Sequence, residues 1–175
     1  MKFNTNQILK YPPATVWAAM RDQMHAIVAS QNDMDYVRID QRIQKTPKIL
    51  HILSTWKADP PLPAFLKSFI KPDMLVWNDD ALWDNEKHIC DFKIKTHYQV
   101  EDIYCTGHIT LEAMAGGKST RIHYSGELTI KKTPRSSIFM TGLVIRGIES
   151  VASTLIENNF SKVVKGLGEA IKEQR

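Results

Sequence analysis

The stretch Ser136–Gln174, SSIFMTGLVIRGIESVASTLIENNFSKVVKGLGEAIKEQ, runs without a proline from end to end. It sets Ile145, Ile148, Ala152, Leu155, Asn159, Val163, Leu167 and Ala170 on one stripe at helical spacing. This predicts a single helix of about 30 residues, about 45 Å long. Thr133-Pro134 offers an entry, and Lys172 and Arg175 suit a C-terminal end, where the backbone dipole favours cations. Gly142, Gly147, Gly166 and Gly168 lower the intrinsic propensity. They fit where a helix must approach its neighbour closely or bend. A helix this long needs an apolar partner surface of matching length.

The residues before it supply such a surface. Lys2–Lys10 alternate weakly, and Tyr11-Pro12-Pro13 then opens a helical stretch, Ala14–Met24, with Val16, Trp17, Met20 and Met24 on one face. A second short helix spans His25–Gln31. From Asp35 the period changes to two, with Val37, Ile39 and Ile43 alternating against Arg38, Asp40 and Arg42. Thr46-Pro47-Lys48 is a turn, and Ile49–Lys57 is the next strand. Asp59-Pro60-Pro61-Leu62-Pro63 breaks the sheet. Ala64–Ile70 predicts a short helix whose Phe65, Leu66, Phe69 and Ile70 serve as a gate or pack on the sheet rim. Four further strands follow, at about 73–84, 87–99, 103–114 and 119–131, with a hairpin at Ala115-Gly116-Gly117-Lys118. An antiparallel meander is the economical reading. A twisted sheet cannot touch a straight helix along its whole length, so a cavity is expected between them.

Strand parity gives the inward set. Leu50, Ile52, Ser54 and Trp56 share one face; so do Cys90, Phe92, Ile94 and Tyr98 on a later strand. Ile103, Cys105, Gly107, Ile109 and Leu111 follow, then Ile122, Tyr124, Gly126, Leu128 and Ile130. The cavity-lining candidates are Trp56, Trp77, Phe92, Tyr98, Cys105, Tyr124, Leu155 and Asn159. Aromatic walls with a few polar groups suit a small hydrophobic ligand, and equally suit an ordinary core with each polar atom bonded. These inward faces carry neither carboxylate nor histidine, which counts against catalysis. Asp79, Asp80 and Asp84 read as solvated turn carboxylates, because the spacing of a calcium loop is missing.

Composition sets the outer limits. The 175 residues are 43% hydrophobic and 24% charged, in the range of one folded domain, here placed at 1–175. The net charge of +4 is spread out, with no basic cluster for nucleic acid; transient contact with an anionic membrane stays open. Cys90 and Cys105 lack CxxC spacing, leaving either a cross-strand disulfide or, the favoured reading, two buried free thiols. The six histidines show no zinc spacing, and His108 and His123 read as an outward-facing pair. No metal or cofactor is expected. Phosphate-loop, dinucleotide and GxSxG patterns are missing. No signal-peptide core or membrane span is read, so the expected compartment is cytoplasmic.

The segment Lys10-Tyr11-Pro12-Pro13-Ala14-Thr15-Val16-Trp17-Ala18-Ala19-Met20-Arg21-Asp22 resembles the helix entry of the START-like superfamily, also called SRPBCC or helix-grip, which includes the birch-pollen-allergen proteins. The Gly126-Glu127-Leu128 strand and the Ile148-Glu149 to Asn159 helix fit as well. The resemblance implies an α+β fold: about seven antiparallel strands curved around a long C-terminal helix, with two short helices after the first strand. It also implies binding or transport of a lipid, isoprenoid or aromatic metabolite without catalysis. The alternatives are a polyketide cyclase or aromatase and a co-chaperone-like interaction module. No subfamily motif is matched, so no functional residue carries over, and the oligomeric state is left open.

Overall fold

The computed structural model describes residues 1–29, 31–62, 64, 67, 70–97, 103–131 and 142–173, with the side chains of 143, 144, 148, 151, 152 and 154–159 excepted. Strand β1 (Lys2–Leu9) leads into helices α1 (Pro13–Asp22) and α2 (Met24–Ala29). Six strands follow: β2 (Met34–Gln44), β3 (Ile49–Ala58), β4 (Val76–Asp84), β5 (Ile89–Thr96), β6 (Ile103–Met114) and β7 (Ser119–Ile130). Helix α3 (Gly142–Glu173) is last, 32 residues and thus about 48 Å long. The seven strands form one sheet in the order β1-β7-β6-β5-β4-β3-β2, each neighbour antiparallel. The chain therefore meanders from β2 to β7, and β1 joins the β7 edge. The expected α+β helix-grip architecture is present.

Helix α1 starts where Pro13 occupies the first helical position, its missing N–H costing nothing there. Its buried face is Val16, Trp17, Ala19 and Met20. Trp17 meets Trp83 edge-on at 5.0 Å and donates its indole N–H to Asn85 Oδ1 at 2.9 Å. Arg21 Nη1 donates to the same oxygen at 2.6 Å. The β4–β5 turn thereby anchors α1, and Asp84 Oδ1 fixes that turn by accepting from the Glu86 and Lys87 amides. At the other end of the sheet, fully buried Thr120 donates to the Tyr11 carbonyl at 2.7 Å, tying β7 to the β1–α1 connection.

Helix α3 buries Phe160, Val164, Leu167, Ala170 and Ile171. Val163, Leu167 and Ala170 of the sequence stripe face inward as expected, while Phe160, Val164 and Ile171 widen it on one side. A Cβ on Gly168 would lie 3.3 Å from Leu9 Cδ2, so this glycine does serve a close approach, to β1. Completely buried Leu167, Ile52 and Ile122 each contribute roughly 1.5–3 kcal/mol of burial.

Two expectations need correction. The run 73–84 begins as a 3-10 turn, Pro72–Leu75, before β4 starts at Val76. Strand β2 does not keep one apolar face, because its register against β3 shifts between Ile39 and Gln41. Val37 and Ile39 face inward opposite Trp56 and Ser54; after the bulge Arg42 lies opposite buried Ile52, and Ile43 is outward and exposed. Arg42, turned to the inner side, pairs with Asp22 of α1. His108 and His123 both face outward on β6 and β7 as expected, and they engage Ser125 and Glu112. The predicted helix Ala64–Ile70 and the Thr133-Pro134 entry lie outside the described residues, apart from isolated positions of the former.

Gly107 and Gly126 sit directly opposite one another on β6 and β7. A Cβ on Gly107 would stand 2.2 Å from the Ser125 carbonyl oxygen and 2.6 Å from Phe92 Cζ. One on Gly126 would meet the Thr106 oxygen at 2.5 Å and Phe3 Cζ at 2.7 Å. The glycine pair lets the rings of Phe3 and Phe92 fold over bare backbone from the two flanking strands. Gly107→Ala is expected to destabilise the fold by about 1–3 kcal/mol, read as a lowered thermal midpoint. An unchanged midpoint would show that the two strands can separate without loss.

Candidate functional site

The inner face of the sheet is read in cross-strand rows. One row runs Val37, Trp56, Trp77, Thr96; the next runs Ile39, Ser54, Asp79, Ile94, Cys105, Leu128. A third contains Leu50, Trp83, Cys90, Ile109 and Tyr124. Where these rows diverge from the helices, a cavity of about 340 Å³ opens. Met20, Met24, Ile27 and Gln31 close it from the α1–α2 side, and Phe160 and Val163 close it from α3. At about 30 Å³ per water in the liquid, the space far exceeds that of one buried structural water.

Five of the eight sequence candidates line this cavity: Trp56, Trp77, Phe92, Cys105 and Tyr124. Tyr98, and the side chains of Leu155 and Asn159, lie outside the described residues. Trp56 and Trp77 are direct cross-strand partners and stack with planes 5° apart and centroids 6.4 Å apart. The Trp56 indole N–H is held by Ser54 Oγ at 2.8 Å, which fixes that ring as a rigid wall. Tyr124 packs among Phe3, Phe92 and Phe160 at centroid distances of 5.0, 5.4 and 5.3 Å. Cys90 and Cys105 are both free and buried, each opposite an isoleucine rather than the other. Burial, reinforced by nearby Asp79, pushes the Cys105 thiol up to about 12 and also raises Cys90. Both stay as neutral thiols and poor nucleophiles at neutral pH.

The structure overturns two readings of the acidic segment. Asp79 is not a solvated turn carboxylate: it lies within β4 and lines the cavity, so the inner face does carry a carboxyl group. Asp80 points the other way and pairs with His51 Nε2 at 2.6 Å; Asp84 alone holds a turn. The signal for Asp79 was strand parity, since it is two residues from inward Trp77 and four from inward Trp83. Its Oδ1 is buried with no hydrogen-bond partner among the described residues, and the same holds for Trp83 Nε1. Burial first, and the charge of Asp80 second, push the Asp79 carboxyl up to about 7. Burial likewise raises the Tyr124 hydroxyl. A wider depression of about 600 Å³ on the outer face, over Gly107 and Gly126, is shallow and open to solvent, so it excludes little water.

The raised value carries a stability consequence with a definite sign. Between about 3.8, its value in the unfolded chain, and about 7, folded Asp79 retains a proton that the unfolded chain has released. Stability is therefore present in full below that window and is lost as pH rises through it. Asp79→Asn removes the titration. The stability of the natural chain relative to this variant is expected to fall by up to about 1.4 kcal/mol per pH unit across the window and then level off. Urea denaturation of both proteins at several pH values reads it; a difference independent of pH would put Asp79 in contact with water.

No protein-family model matches the chain, and no curated protein matches it in sequence. Solved structures do match it in shape. TTHA0849 from Thermus thermophilus has a TM-score of 0.66 at 14% identity, over 99% of both chains. The Zhui aromatase/cyclase from Streptomyces sp. R1128 has a TM-score of 0.68 at 11% identity, over 100% of this chain and 96% of that one. Ara h 8.0201 has a TM-score of 0.59 at 14% identity, over 99% and 98%. Likeness at such low identity speaks to architecture, and the architecture is the helix-grip fold.

Proposed function

We propose that the protein binds a small hydrophobic molecule in the cavity between the sheet and α3, as a carrier or sensor and not as an enzyme. The observation that carries this reading is the partly open cavity of about 340 Å³ walled by Trp56, Trp77, Phe92, Tyr124 and Phe160. Volumes of 300–1,000 Å³ with apolar walls and few polar groups are typical of small-molecule sites. Apolar area removed from water supplies affinity at about 25 cal/mol per Å². The polar atoms that orient the ligand are those of Asp79, Gln31 and Trp83. Free thiols suit a reducing compartment, and we place the protein in the cytoplasm. Among the described residues no helix is long and apolar enough to cross a membrane.

A second reading, an aromatase or cyclase, gains support from one observation. A carboxyl pushed up to about 7 inside an apolar space has the properties of a general acid or base. The name of the Zhui neighbour points the same way. The interaction-module reading has less behind it, because it calls for a filled interior. The exposed apolar side chains Ile8, Tyr36, Ile43 and Leu82 are also spread over several strands.

Native mass spectrometry of protein purified from cells is expected to show a bound hydrophobic species, released on denaturation and recovered by solvent extraction. Half-buried Ile94 lines the space, so Ile94→Trp should fill it and reduce the bound fraction by about tenfold or more, in line with overpacking. A fully apo natural chain that also fails to take up added hydrophobic probes would overturn the carrier reading. Turnover of a polyketone substrate, lost in Asp79→Asn, would replace it with the enzyme.

A further inference from the structure

The cavity wall holds a carboxyl group with one oxygen that no described residue bonds. Asp79 Oδ1 is buried and unbonded among the described residues, and no Lys, Arg or His is among the described lining residues. Asp80 next to it is turned to the opposite face and engaged by His51, so it takes no part in pairing inside. The other ionisable neighbours facing the space are Cys90, Cys105 and Tyr124, all neutral. Among the described residues nothing completes Asp79, which leaves that place open to a group on the ligand.

A hydroxyl or carbonyl on the ligand would be served equally well by Asn, Gln or Ser, at far smaller desolvation cost. A carboxylate outperforms those neutral groups when its partner is a cation, because a charge-assisted hydrogen bond is roughly twice as strong as a neutral one. The surroundings favour a cation as well. Trp77, two residues along the same strand face, presents an aromatic ring to the cavity, as do Trp56, Phe92 and Tyr124. Ring faces attract ammonium groups within about 6 Å, most strongly for tryptophan. Resting on the cavity-binding reading, we propose that the ligand is a hydrophobic amine, its ammonium group set against the Asp79 carboxylate and its apolar body against the aromatic walls.

Three probes on one scaffold test this: 1-pyrenemethylamine, 1-pyrenemethanol and 1-pyrenecarboxylic acid, titrated by fluorescence at pH 8 into the natural protein and Asp79→Asn. The natural protein is expected to favour the amine over the alcohol by about tenfold or more, the difference between charge-assisted and neutral hydrogen bonds, and to bind the acid most weakly. In Asp79→Asn the amine-to-alcohol ratio should collapse to within about threefold of unity. Circular dichroism melting establishes that the variant is folded, and the natural protein alone already decides the first point. Alcohol binding equal to or tighter than amine binding overturns the amine and leaves the carrier reading intact. A ratio unchanged in the variant overturns the role of Asp79. Failure of all three probes overturns the cavity reading and this inference with it.

Discussion

A straight rod cannot follow a coiled surface, and the rest of this molecule depends on that mismatch. Helix α3 reaches β1 closely enough for Gly168 to lie against Leu9, and its buried side chains fill the middle of the protein at Leu167 and Ile171. Toward Phe160 and Val163 the sheet curves away, and the described side chains leave a gap there. Helices α1 and α2 close it from the side, with α1 held by the Trp17 and Arg21 bonds to Asn85. The cavity is thus a by-product of geometry that the chain then decorates. On the sheet side its walls follow strand parity, two residues at a time.

One decoration works against stability. Folding takes Asp79 out of water without giving it a bonded partner among the described residues, and the carboxyl responds by holding its proton. Groups of this kind persist where function needs them. By contrast a polar cluster on the outer face of β2 and β3 is bonded among its own members. Thr55, though buried, donates to Asp40, and Arg38 reaches both.

Much of the architecture was legible because hydrophobic periodicity is a property of the chain itself. The long proline-free stripe, the Pro12-Pro13 entry and the glycine hairpin at 116–117 each gave the element found there. The sites of failure have physical causes. The β2 bulge depends on pairing with β3, so the apparent Val37–Ile39–Ile43 face could not reveal that Ile43 turns outward. Alternation along β3, β5, β6 and β7 brings Trp56, Phe92, Cys105 and Tyr124 to the cavity, and Trp77 joins them from β4. In β4 the cluster of aspartates suggested a turn and suppressed the same argument. Asp79 was therefore missed although Trp77 and Trp83 bracket it on one face. Its perturbed proton affinity could not be read from sequence at all, since it arises from distant segments excluding water.

The interrupted pairing of β2 matters beyond its own side chains. An open sheet ends in rows of unsatisfied amides and carbonyls, a template on which another chain can grow strand by strand. Here that row is broken twice, near Met34–Tyr36 and again near Ile39–Gln41, and Arg38, Asp40 and Arg42 stud it with charge. A foreign strand would have to match two offsets and desolvate those ions at once. The same irregularity that turns Arg42 toward α1 thus also guards a long free margin against fibrous self-association.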